Sequence, residues 1–225
     1  MTQAALSDPA SEQAKPRTAE VAAYLAARMC HDFISPASAI VSGLDLLEDP
    51  SAQDMRDDAM SLIAGSARKL ADLLAFTRVA FGASASAETF DTRDLETLTR
   101  GVFAHMRAEL DWAVEAPSVG KPVARALLNL AQMAGAVLPT GGTVRVRAVR
   151  EAASTAIAVE SIGAKPRLRQ EVLAGLRGEP MGEGLHGHWV QAYYVHLFLE
   201  DAGGRVFVDV NEEKVTFAAT VPEEG

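Results

Sequence analysis

Arg28-Met29-Cys30-His31-Asp32-Phe33-Ile34-Ser35-Pro36 decides the first half of the fold. Its apolar members Met29, Phe33 and Pro36 continue outward as Val21, Leu25, Ile40, Leu44 and Leu47. Steps of four and three mark one face of an α-helix from Arg17 to about Glu48. Pro36 lies on that stripe and removes a helix hydrogen bond, so it either bends the helix or divides it. His31 stands two residues from both Met29 and Phe33, about 200° around the helix, and therefore faces solvent. Most of its neighbours on that face (Ala27, Arg28, Ile34, Ser35, Ser38 and Ser42) are small, which leaves the imidazole open to another protein. Cys30, the only cysteine, excludes an intramolecular disulfide framework and a Cys-based zinc site, and is expected to be a small buried packing residue.

Glu48-Asp49-Pro50-Ser51 carries turn chemistry, and a second helix is expected from about Asp54 to Phe81. Its apolar positions, among them Leu62/Ile63, Leu70, Leu73/Leu74 and Phe76, make a face too wide for two antiparallel helices to bury alone. A second copy completing a four-helix bundle solves this, so residues 17–82 are read as a homodimerising hairpin. Residues 1–16 lack a basic n-region and an apolar h-region, and are expected to be a disordered tail rather than a signal peptide, placing the chain in the cytoplasm. A formal net charge of -9 with no basic patch visible in the sequence argues against nucleic acid and anionic membrane as partners. No apolar run approaches the roughly 20 residues a bilayer demands.

Gly82-Ala83-Ser84-Ala85-Ser86-Ala87-Glu88 is a small-residue linker, placed at residues 83–89, beyond which residues 90–225 read as a mixed α/β module. Asp91 and Asp94 open a helix running to about Glu109, and Leu110 to Glu115 reads as a strand. Pro122 starts a helix that stops before Pro139. Thr143–Val149 with Thr155–Ser161, and Val206–Val210 with Val215–Val221, read as hairpins. Short and longer helices are expected at Leu168–Leu176 and His188–Asp201. The fold class is thus α+β, a helical hairpin followed by an α/β sandwich whose antiparallel sheet is covered on one face by helices.

His31-Asp32-Phe33-Ile34-Ser35-Pro36 resembles the H-box of bacterial sensor histidine kinases. The wider stretch Met29–Glu48, and the chain beyond the tail as a whole, resembles the ChpT histidine phosphotransferases. That resemblance implies a relay. His31 would take a phosphoryl group from a receiver-domain aspartate of a hybrid sensor kinase and pass it to response regulators of the cell cycle, with Mg²⁺ brought by the receiver. Asp32 matches the acidic position beside the phosphoacceptor, where it would orient or polarise the ring. Arg28 and, from the second helix, Lys69 are candidate neighbours of the phosphoryl group. Ser35 stands where kinases with phosphatase activity typically carry Thr or Asn.

The second module resembles a degenerate histidine-kinase (GHKL) ATP-binding domain. Asn129 matches the first Asn of the N-x-x-x-N-A box, but Met133 replaces the Mg²⁺-ligating Asn, and a thioether is a poor ligand for that cation. Ser161-Ile162-Gly163 stands where D-x-G-x-G would bring an adenine-recognising carboxylate, and Gly182 and Gly184 echo the last glycine box. Neither a bound cofactor nor a metal is expected. Two other readings stay open: an ATP-dependent histidine autokinase, and a non-enzymatic dimeric docking scaffold.

Overall fold

A computed structural model describes residues 18–82, 88–180 and 186–222. The expected tail, most of the expected linker, and Gly182 and Gly184 lie outside the described residues. The hairpin consists of α1 (Thr18–Glu48), a 3₁₀ turn (Pro50–Met55) and α2 (Arg56–Ala80). Pro36 does not divide α1, which continues through it as one helix. The turn is held by Asp49, whose carboxylate accepts from the backbone N–H of Ser51 at 2.8 Å. Gly43 lets the two helices close: a Cβ there would meet Ile63 Cγ1 at 2.6 Å and the Ala59 carbonyl at 3.2 Å.

Two expectations for α1 are corrected. Cys30 is exposed rather than packed. It sits nine residues, two and a half turns, from the buried Val21, and so on the opposite side of the helix. Leu44, on the expected core stripe, is also exposed, at 46%.

The C-terminal module opens with β1 (Thr89–Asp91) and α3 (Thr92–Phe103), continues through β2 (Ala108–Val114), β3 (Ser118–Gly120) and α4 (Lys121–Ala136), and reaches the hairpin of β4 (Gly142–Arg150) and β5 (Ser154–Ile162). α5 (Gln170–Leu176), α6 (His186–Asp201), β6 (Arg205–Val210) and β7 (Lys214–Pro222) complete it. As expected, Asp91 caps α3, accepting from the Arg93 N–H, and Pro122 lies in the first turn of α4. α3 is shorter than expected, because residues 104–107 close a turn on Arg100, Val102 and Phe103 and Ala108 is already paired with Gly142.

The main sheet runs β2-β4-β5-β7-β6. It is not wholly antiparallel: β2 and β4 run parallel, Ala108 opposite Gly142 through Val114 opposite Ala148. The segment joining them contains α4, and a helical crossover returns the chain in the same direction. β1 and β3, which the sequence reading missed, form a separate antiparallel pair. One face of the main sheet is covered, with Val144, Val146, Val159, Val215 and Phe217 packed beneath the deeply buried α4. No helix among the described residues is long and apolar enough to cross a membrane.

Two apolar clusters join the module to the hairpin. Phe76, Val79 and Ala80 at the end of α2 join the main core. Val21, with Tyr24 and Leu25 beside it, packs on Trp189, Val190 and Tyr193 of α6, where the Trp189 and Tyr193 rings stack at 4.5 Å. These contacts place the start of α6 beside the first third of α1.

Candidate functional site

His31 projects from α1 with its side chain 87% exposed. Its Nδ1 lies 3.3 Å from Asp32 Oδ1, and Asp32 Oδ2 lies 3.6 Å from Arg28 Nε. In a neutral ring with Nδ1–H donating to the carboxylate, Nε2 keeps its lone pair and faces outward. Arg28 turns inward. It is only 17% exposed and donates through Nη1 to the carbonyl of Gly187 at the start of α6. Burial lowers its pKa from the ordinary value while Asp32 opposes, and a guanidinium so placed stays cationic.

In front of His31 lies a cleft of about 350 Å³ between the hairpin and the C-terminal module. The hairpin lines it with Arg28, His31, Asp32, Ser35 and Lys69, and the module with His105, Gln132, Arg167, Arg169, His188 and Gln191. Leu73, Val102, Met106, Met133 and Val172 supply apolar lining. Of the expected site residues the fold therefore gathers His31, Asp32, Arg28, Ser35 and Lys69. Ser38 is exposed on α1 but does not line the cleft.

Sequence reading missed the far wall. Arg167, Arg169 and His188 add cationic or protonatable groups to Arg28 and Lys69, so a chain of net charge -9 carries a locally basic cleft beside its exposed histidine. The signal was present as the alternating Arg167-Leu168-Arg169, but only the fold brings it opposite α1. Burial is the largest cause lowering the His188 pKa, with Arg28 and Arg169 adding to it. His105 bonds across the cleft edge to Asp72 of α2, Nε2 to Oδ2 at 3.1 Å.

The positions that resemble a nucleotide site serve packing. Asn129 is fully buried; its Nδ2 donates to the Ala80 carbonyl at 2.9 Å and the Arg125 carbonyl at 3.0 Å, and its Oδ1 accepts from Gln191 Nε2 at 3.1 Å. Gln191 also donates to Gln132 Oε1 at 2.7 Å. Met133 is buried in the core, and the buried Ser161 donates to the Ala134 carbonyl at 2.9 Å. At Gly163 a Cβ would meet Leu138 Cδ2 at 2.9 Å and the Gly141 carbonyl at 3.0 Å, so this glycine serves close packing.

The fold and site are thus a helical hairpin that presents an exposed histidine to a cleft shared with an α/β sandwich. Comparison with known proteins narrows this. Residues 92–214 match the histidine phosphotransferase C-terminal domain. The chain is 33% identical over 201 residues to the protein phosphotransferase ChpT of Brucella abortus (strain 2308), covering 89% of this chain and 95% of that protein. A solved structure of a bacterial phosphotransferase superposes with a TM-score of 0.82 at 30% identity, covering 92% of this chain and 98% of the other. The chain belongs to the ChpT-type histidine phosphotransferase family.

Proposed function

We propose that His31 is the phosphoacceptor of a phosphorelay, accepting from a receiver-domain aspartyl phosphate of a hybrid sensor kinase and donating to response-regulator aspartates. The observation that carries this is the 87% exposed ring, its Nδ1 on Asp32, at the mouth of the basic cleft. The Nε2 lone pair attacks phosphorus, the bond from phosphorus to the carboxyl oxygen breaks, and the aspartate leaves as carboxylate. The imidazole becomes a phosphorylated ring whose Nδ1–H rests on Asp32, and the reverse sequence serves the next receiver. Mg²⁺ comes with the receiver, and lysine and arginine side chains offset charge on the equatorial oxygens. Lys69 stands on the hairpin side for this, with Arg167 and Arg169 opposite.

The relay works without ATP bound to this chain. Supporting that reading, Met133 and Ser161 occupy the key positions of the nucleotide site with chemistry unsuited to magnesium or adenine, and both are buried. The C-terminal module serves instead to dock the receiver beside His31. The working unit is a cytoplasmic homodimer. Incubation with a phosphorylated receiver should label the wild-type chain and leave His31→Ala blank; equal labelling of the two would refute the assignment. Titration with magnesium–nucleotide should show no binding, and micromolar affinity would overturn the nucleotide-free reading.

A further inference from the structure

Arg28, Asp32 and His31 form a line that begins on the C-terminal module. The Gly187 carbonyl accepts from Arg28 Nη1, Arg28 Nε pairs with Asp32 Oδ2 at 3.6 Å, and Asp32 Oδ1 faces His31 Nδ1 at 3.3 Å. We infer that Arg28 is a positioning residue for phosphoryl transfer, acting through Asp32 to hold the His31 ring with Nδ1 protonated and Nε2 free. The same guanidinium makes that setting depend on how the start of α6 seats against α1. This inference rests on the reading of His31 as the phosphoacceptor.

Three physical points support it. The His31 ring is 87% exposed and gains little orientation from packing, so a hydrogen bond to Asp32 must set its tautomer. Asp32 and His31 are adjacent on a helix, and their side chains leave the backbone about 100° apart. Their approach therefore needs the Asp32 carboxylate held by something else, and the nearby cation is one whose own position is fixed by burial and a backbone carbonyl. Finally, only a planar fork reaches both partners at once: the guanidinium uses different nitrogens for Gly187 and Asp32, whereas a lysine ammonium would serve as a point charge for one of them. Arg28 is thus committed to the ground-state arrangement of the site, leaving Lys69, Arg167 and Arg169 to meet the phosphoryl group.

The test uses the full-length chain as wild type, R28Q, R28K, D32N and R28Q/D32N, with single-turnover transfer from a phosphorylated receiver at varied receiver concentration. R28Q should lower the limiting rate about tenfold while leaving the half-saturating receiver concentration within about twofold, the pattern of lost alignment rather than lost docking. R28K should fall between wild type and R28Q. The double variant should transfer no more slowly than D32N alone, because Arg28 acts through that carboxylate. Long-range ¹H–¹⁵N spectra of the unphosphorylated chains at about pH 8 should show His31 mainly as the Nδ1–H tautomer in wild type and shifted toward Nε2–H in R28Q. An unchanged tautomer ratio, additive losses in the double variant, or a loss confined to the half-saturating concentration would each overturn the inference. Circular dichroism verifies folding, and if R28Q does not fold, R28K against D32N gives the same comparison. Failure of the phosphoacceptor reading looks different: wild type would take no label on His31, while the spectra would still decide whether Arg28 sets the ring.

Discussion

The Ser161 hydroxyl donates to the Ala134 carbonyl across 2.9 Å, and both residues are fully buried. β5 and α4 are thereby sealed together where a nucleotide-binding relative would need a carboxylate facing an open site. Ser161→Ala removes one buried hydrogen bond and should cost about 1 kcal/mol. Ser161→Asp places a fully buried carboxylate against a backbone carbonyl and should cost about 3 kcal/mol or more. Urea unfolding of the two variants ranks them, and calorimetric titration should find no nucleotide affinity gained by the aspartate. A Ser161→Asp variant as stable as wild type would mean that this seam is open.

Asn129 links three elements, holding the end of α2 at Ala80 and α6 at Gln191 from its own place on α4. Asn129→Ala should destabilise by about 2–4 kcal/mol, since it strips a buried network of its central member. Combined with Gln191→Ala, the loss should be smaller than the sum of the two single losses, as the variants remove a shared bond. Strict additivity in urea unfolding would show the two side chains to be independent.

The hairpin, the Asp91 cap, the Pro122 helix start and both β-hairpins were legible because period, cap and turn chemistry are local. His31 facing solvent followed from helix geometry alone. What was not legible depends on contacts far apart in sequence. The parallel pairing of β2 with β4 is set by the crossover through α4. Arg167, Arg169 and His188 reach the site because the module seats against the hairpin, through Phe76, Val79 and Ala80 of α2 and through Val21, Tyr24 and Leu25 against α6. Arg28 was placed one turn from His31 correctly, yet helical spacing does not say that its guanidinium turns to Gly187. Asn129 was visible as a remnant of a motif, while its work as a packing hub needed Ala80 and Gln191 in place.

His188 gives the cleft a dependence on pH. Burial, then Arg28 and Arg169, pull its pKa below the ordinary value, with Glu171 and Asp32 opposing. Between that lowered folded value and an unfolded value near 6.5, the unfolded chain binds more protons. The contribution is therefore intact above about pH 6.5 and is lost as the pH falls through the window below it. Protection of the amides at the start of α6, taken relative to their intrinsic exchange rates at each pH, should fall as the pH drops below about 6.5, and His188→Gln should flatten that slope. A slope unchanged in the variant would assign the effect to other groups.

The hairpin leaves two apolar seams in water. On α1, Ile34 (63% exposed) and Val41 (56%) stand seven residues apart; on α2, Met60 (52%) and Leu74 (49%) flank the exposed Ala67 at the same period. An apolar repeat of seven on two antiparallel helices is compatible with packing against a second hairpin. Burying a side chain of this kind is worth roughly 1.5–3 kcal/mol, so four such residues per chain, counted twice in a symmetric pair, suffice to drive association. If the proposed homodimer uses these seams, Val41→Glu and Leu74→Glu should each weaken it, and together should give a monomer by sedimentation velocity. Both side chains are exposed in the single chain, so helicity should be retained, separating lost association from lost folding. A wild-type chain that sediments as a monomer at micromolar concentration would refute the homodimer, and a double variant that remains dimeric would place its interface elsewhere.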